Sequence, residues 1–214
     1  MTASVTDTLL RSFNPTLVLV LNLCGTFVFG ISGGLAAVRA RLDPFGVLVL
    51  AAVVGLAGGI ARDVLIGRPP ATFRDWRYLA VVGAAGVVTW IAAPALHRMQ
   101  PTIDVLDAAG LSLFSVTGAS IALTYGLGPS EAIVLGAISG IGGGILRDLI
   151  VREIPQVLRS GLYAIPAIIG ATIVVIAQRA GAHGVIFPLV GAMACFAVRV
   201  AAIRYDLNLP PRTE

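Results

Sequence analysis

A six-residue passage occurs twice in this chain, and the second copy limits what the first can mean. Gly58-Gly59-Ile60-Ala61-Arg62-Asp63 returns 85 residues later as Gly143-Gly144-Ile145-Leu146-Arg147-Asp148. At the same offset Gly25 meets Gly110, Phe29 meets Phe114, Pro44 meets Pro129 and Gly55 meets Gly140. Pro70 meets Pro155, Arg74 meets Arg159 and Tyr78 meets Tyr163, with no gap in between. Each copy holds three long apolar runs. Three is an odd number of crossings, so a second copy in the same bilayer enters from the opposite side. Inverted repeats of this kind build membrane pathways for small solutes.

Composition removes the soluble alternative. Hydrophobic residues make up 57% of the 214, charged residues 12%, and the mean hydropathy is +0.93. Ordinary soluble domains are about 25% charged. A spanning helix needs about 20 apolar residues. Seven segments qualify: 16–38, 45–66, 78–96, 102–124, 129–150, 162–178 and 183–203. Asp43-Pro44, Pro101 and Gly128-Pro129 fall where helices start, and proline suits the first turn. The residues predict an all-α integral membrane protein forming one membrane domain. Residues 16–96 form a first three-helix repeat, 101–180 an inverted second repeat, and 183–203 a seventh helix.

The 15 basic residues are all arginine, scattered through short loops, and the net charge of +4 marks no stripe for nucleic acid. With Arg62 and Arg147 set aside as intramembrane, one side carries Arg11, Arg68, Arg74, Arg77 and Arg179. The other carries Arg39, Arg41, Arg98, Arg152, Arg159, Arg199, Arg204 and Arg212. By the positive-inside rule the second side is cytoplasmic, which puts the amino terminus outside and the carboxyl terminus inside a cell (inner) membrane. Cys24 and Cys195 lie in apolar runs and suit packing. His97 and His183 fall in loops and pair with no cysteine or carboxylate cluster. No metal site, cofactor site or nucleophile-base arrangement is evident, so catalysis has no support. The seventh helix, with Arg199 and Arg204 at its exit, suggests packing, closure of the bundle or an oligomer contact rather than transport chemistry.

The doubled Gly-Gly-x-x-Arg-Asp element is the strongest functional candidate. Gly58 and Gly59 lie late in helix 2, and Gly142, Gly143 and Gly144 late in helix 5. Consecutive glycines cost a helix up to about 1 kcal/mol each relative to alanine. They permit a kink or unwound stretch whose freed carbonyls must face protein or water. Glycines four apart equally permit close helix packing. Both readings stand. Arg62 and Asp63 are adjacent and point about 100° apart, so they are expected to seek partners on other helices. Arg147 and Asp148 repeat the problem. Arg62 lies 18 residues beyond Pro44, about 27 Å of helix. The two arginines are therefore placed near opposite ends of a path, as gates or as snorkelling anchors.

A second set lies on helices 1 and 4, where Asn22 is equivalent to Asp107 and Ser32 to Thr117. An intramembrane carboxylate is costly and by default functional. Asp107 also lies near its helix start, where an acidic residue is favourable. Hydroxyls such as Ser112, Ser115 and Ser120 often bond back to their own helix. Ser139, one turn before the second glycine run, is a candidate cation ligand.

These features resemble the prokaryotic trimeric intracellular cation (TRIC) channels. The resemblance rests on the paired Gly-Gly-x-x-Arg-Asp elements and the three-plus-three-plus-one layout, and covers about 17–203. It implies a homotrimer with an ion path through each subunit, lined by glycine-kinked helices 2 and 5 together with 1 and 4. The implied permeant ion is monovalent, chiefly potassium, with sodium and bound lipid as further ligands. The first element has Ala57 where the second has Gly142, a doublet in place of a triplet. The same domain in bacteria has been labelled a glycine transporter. An alternating-access carrier for a small zwitterion such as glycine is the alternative. A scaffold whose glycines serve packing alone is the third reading.

Overall fold

The computed structural model describes residues 14–95, 99–159, 162–182 and 184–207. His97, His183, Arg11, Arg98 and Arg212 lie outside them. The described residues contain helices and turns and no strand. In chain order the helices are α1 (Pro15–Arg39), α2 (Pro44–Leu65), α3 (Trp76–Ala92), α4 (Met99–Thr124), α5 (Pro129–Ile150), the single turn α6 (Gln156–Arg159), α7 (Ala164–Arg179) and α8 (Ile186–Arg204). A 3₁₀ turn, Ala71–Phe73, sits where the repeat places α6. Six helices are long and apolar enough to cross a bilayer, and α7 is a shorter apolar helix of 16 residues. Together they make an all-α membrane protein with seven spans.

The helix ends follow from local chemistry. Asn14 caps α1 by accepting from the backbone N–H groups of Thr16 and Leu17, Asp43 caps α2 through Gly46 N–H, and proline follows each cap. Asp75 caps α3 and pairs with Arg77, whose donors hold its carboxyl below the usual range. At their other ends α1, α2, α4 and α5 close with one residue in the left-handed region. That residue is Gly67 after α2 and Gly126 after α4, but Arg41 after α1 and Arg152 after α5. The accompanying bonds, such as Arg41 N–H to Val38 O and Leu42 N–H to Ala37 O, define the Schellman cap. Arg41 is the repeat equivalent of Gly126, and Arg152 of Gly67. Each repeat thus uses glycine at one cap and arginine at the other.

The packing obeys the duplication. α1 touches α2 and α3 as α4 touches α5 and α7; α2 touches α3 as α5 touches α7. Between repeats α1 packs on α4 and α2 on α5, each helix against its own counterpart. That is the pattern of a pseudo-twofold axis running between the halves. α8 stands outside this symmetry, against α4 and α7. The axis passes close to Phe29 and Phe114, whose rings stack at 5.6 Å and 20°. Both are buried, while large apolar residues such as Ile91, Ile176 and Met193 point outward. In a bilayer those outward residues face lipid.

Candidate functional site

The glycines of α2 and α5 serve the crossing of these helices. A Cβ on Gly58 would lie 2.0 Å from the carbonyl oxygen of Ser139, and one on Gly143 would lie 2.7 Å from that of Val54. Ser139 and Val54 are repeat equivalents, so the contact is made twice, more tightly at Gly58. Ser139 Oγ also donates across the crossing to Gly58 O at 3.2 Å. The expected unwound stretch is not formed. Helix runs unbroken from Pro44 to Leu65 and from Pro129 to Ile150. The reason is steric: a backbone held against a neighbouring backbone already has its place, and the glycines let it approach. Gly142 lies against Gly58, 3.4 Å from its Cα by the same measure.

Beyond the crossing each arginine turns back into its own repeat. Arg62 Nε donates to Asp63 Oδ1 at 2.9 Å, and Nη1 donates to Asn22 Oδ1 at 3.0 Å. Arg147 Nε donates to Asp148 Oδ1 at 2.9 Å, and Nη1 donates to Asp107 Oδ1 at 2.6 Å. The expectation that adjacent Arg and Asp cannot meet is corrected here. The guanidinium is long enough to curl around the helix, and burial of both groups makes the pair necessary. All four of Arg62, Asp63, Arg147 and Asp148 are almost wholly buried. Each aspartate spends its second oxygen on a loop: Asp63 Oδ2 accepts from Ala71 N–H and Asp148 Oδ2 from Gln156 N–H, both at 2.8 Å.

The two clusters lie at different depths. Arg62 meets α1 at Asn22, whereas Arg147 also donates to Ser32 Oγ at 2.9 Å. Ten residues of α1 separate those contacts, about 15 Å of helix. Arg62 floors a cavity of about 430 Å³ bounded by the start of α1, the loop after α2 and the end of α4. A void of about 10 Å³ beside Thr26 and Phe114 continues inward from it. Arg147 floors a second cavity, of about 160 Å³, bounded by the end of α1, the start of α4 and the loop after α5. Between the two floors lie the Phe29–Phe114 stack and the glycine crossing, so neither cavity reaches the other.

Symmetry is incomplete, and the departures matter. Thr117, the equivalent of Ser32, bonds back to Leu113 O at 2.8 Å and stays out of the Arg62 cluster. Ser112 and Ser120 also bond back within α4. Gly59 has room for a side chain, with Phe114 at 3.6 Å. Its equivalent Gly144 has none, because a Cβ there would lie 2.2 Å from the Tyr163 hydroxyl. The helix-entry role for Asp107 falls away, since α4 begins at Met99 and Asp107 is fully buried against Arg147.

Four further residues, Asp104, Gln156, Tyr163 and Arg199, join the second cluster, none of them a site candidate from the sequence. Gln156 donates to Asp104 Oδ1 at 2.9 Å and accepts from Arg199 Nη2 at 2.8 Å. Arg199 lies over the Tyr163 ring at 4.5 Å and is buried. The seventh span is therefore tied to the rest of the bundle through Arg199. The available signals were a charge inside an apolar run and the repeat match of Tyr163 to Tyr78. Removing Arg199 from the loop arginines also narrows the excess used to assign sidedness.

Comparison with known proteins agrees with this geometry. A family model described as "Glycine transporter" matches residues 19–94 and again 104–179, the same 85-residue displacement. A UPF0126 membrane protein of Streptomyces coelicolor is 47% identical, covering 95% of this chain and 94% of the relative. The UPF0126 inner membrane protein YadS of Escherichia coli K12 is 38% identical, covering 91% of this chain and 95% of the relative. The TRIC trimeric intracellular cation channel orthologue from Rhodobacter sphaeroides is 36% identical, with a TM-score of 0.87 over 90% of this chain and all of that one. This chain belongs to the prokaryotic TRIC-channel family. It is accordingly a multi-pass membrane protein, and none of these comparisons points to an enzyme. In TRIC-family terms the two arginine-floored cavities and the aromatic stack between them are the candidate site.

Proposed function

We propose that this protein is a passive channel for monovalent cations, chiefly potassium, with one ion path inside each subunit. One observation carries the reading: a single chain holds two cavities on opposite sides of a pseudo-twofold axis, closed from each other by a stacked phenylalanine pair. The likeness to TRIC cation channels supports a cation as the solute. Helices α1, α2, α4 and α5 line the path, and Phe29 with Phe114 closes it in the present state. An apolar constriction between wet vestibules excludes ions by dewetting and conducts once its side chains part. Asp63, Asp107 and Asp148 attract cations while Arg62 and Arg147 hold the helix ends in register. The arginine bias supports an external amino terminus, and the trimeric relative supports a homotrimer.

The test is flux from reconstituted vesicles. Vesicles loaded with potassium and doped with the protein should release it at a rate that rises without saturation as the gradient grows. Vesicles that retain potassium but take up labelled glycine with saturation and counterflow would replace the channel with the carrier.

A further inference from the structure

The two arginine clusters have one shape and two charges. Asn22 and Asp107 stand 85 residues apart, and each accepts the Nη1 of its own repeat's arginine. Amide and carboxylate are nearly isosteric, so the exchange leaves the scaffold alone and changes only the charge. The charge difference extends to both mouths. The first cavity is lined by Arg62, Arg68, Arg74 and Asp75, with Asp63 beneath. Asp75 is taken by Arg77, so Asp63 alone offsets one of the three arginines, leaving two positive charges over. The second cavity is lined by Arg39, Arg147, Asp148 and Glu153, with Asp107 bonded beneath. Arg39 pairs with Glu153 and Arg147 with Asp148, so Asp107 remains as one negative charge. Farther out, Asp104 and Arg199 share Gln156 and offset each other. At the mouths, Glu153 occupies the position equivalent to Arg68, which adds to the difference, while Arg39 stands where the first mouth has Thr124 and is neutralised by Glu153.

We infer that the path conducts cations unequally in its two directions, and that the Asn22/Asp107 difference is a principal source of the inequality. The inference rests on the channel reading. A fixed negative charge raises the local concentration of mobile cations in a narrow vestibule, and a fixed positive charge lowers it. Cations entering from the Asp107 cavity therefore find a filled reservoir, and those entering from the Arg62 cavity a depleted one. A unit charge about 8 Å from the ion in a water-like medium changes its local concentration by about two-fold. The effect must fade in concentrated salt, where the Debye length falls from about 10 Å at 0.1 M to about 3 Å at 1 M.

The experiment is single-channel recording in planar bilayers with equal KCl on both sides. The ratio of the larger to the smaller current at equal and opposite voltages does not depend on the direction of insertion. For the unaltered protein that ratio should be about two in 0.1 M salt and close to one in 1 M salt. Asn22→Asp makes the first cluster match the second and should bring the low-salt ratio toward one. Arg74→Gln, which removes a surplus charge at the first mouth, should move it the same way without touching a buried cluster. Equal currents at low salt in the unaltered protein would overturn the inference while leaving the channel intact. An unchanged ratio in both variants would do the same. Absence of any current would overturn the channel reading and the inference with it.

Discussion

Phe29 and Phe114 occupy the same position in the two halves of this chain and stack on each other at 5.6 Å between its two arginine-floored cavities. Each ring is held by a glycine of the opposite repeat: a Cβ on Gly110 would lie 2.6 Å from Phe29, and one on Gly25 would lie 3.1 Å from Phe114. Phe114→Ala should therefore open the path. Potassium efflux from reconstituted vesicles should rise several-fold, at a stability cost of about 3–5 kcal/mol for the lost ring. Efflux at or below the unaltered rate in a folded variant would remove the pair as the barrier.

The glycines of the repeated element are unequal, although the sequence presents them alike. Gly58→Ala drives a methyl into the Ser139 carbonyl, whereas Gly59→Ala finds ordinary contact. Overpacking of this kind costs about 1–3 kcal/mol. Thermal unfolding in detergent should show a clear loss for the first variant and little change for the second. Equal losses would mean that α2 and α5 do not cross as described.

Arg41 and Arg152 hold φ values of 59° and 61°. The left-handed region costs a side-chain-bearing residue about 1–2 kcal/mol. Replacing either by glycine, as the other repeat already does, should raise the melting temperature. Gly67→Ala and Gly126→Ala should lower it. The four melts together test the cap assignment.

The first cluster shows which carboxylate the second can spare. Asn22 satisfies Arg62 as an amide, so Asp107→Asn should fold and keep its bond to Arg147. Asp148→Ala should not be tolerated, because it strips Arg147 Nε and Nη2 of their carboxylate and the Gln156 N–H of its acceptor. Breaking a buried pair costs about 3–5 kcal/mol. Recovery of monodisperse protein by size-exclusion chromatography separates the two outcomes.

Much of the fold is legible in the residues because lipid simplifies the problem. Apolar length gives the spans, proline and glycine give their ends, and an 85-residue offset gives the inversion. Local reach was harder to see. Regular helical geometry sends adjacent side chains apart, yet the long guanidinium of Arg62 returns to Asp63 once both are dry. The close crossing at Gly58 depends on Ser139, 81 residues away, which no local pattern specifies. Arg199 looked like a membrane-edge anchor, because its partners Gln156 and Tyr163 lie on other elements.

The most direct trial of the central claim is single-channel recording of the purified protein in a planar bilayer under a potassium gradient. The account predicts discrete current steps that reverse near the potassium equilibrium potential and grow in amplitude in Phe114→Ala. A silent bilayer from folded protein whose vesicles take up labelled glycine with saturation and counterflow would contradict it.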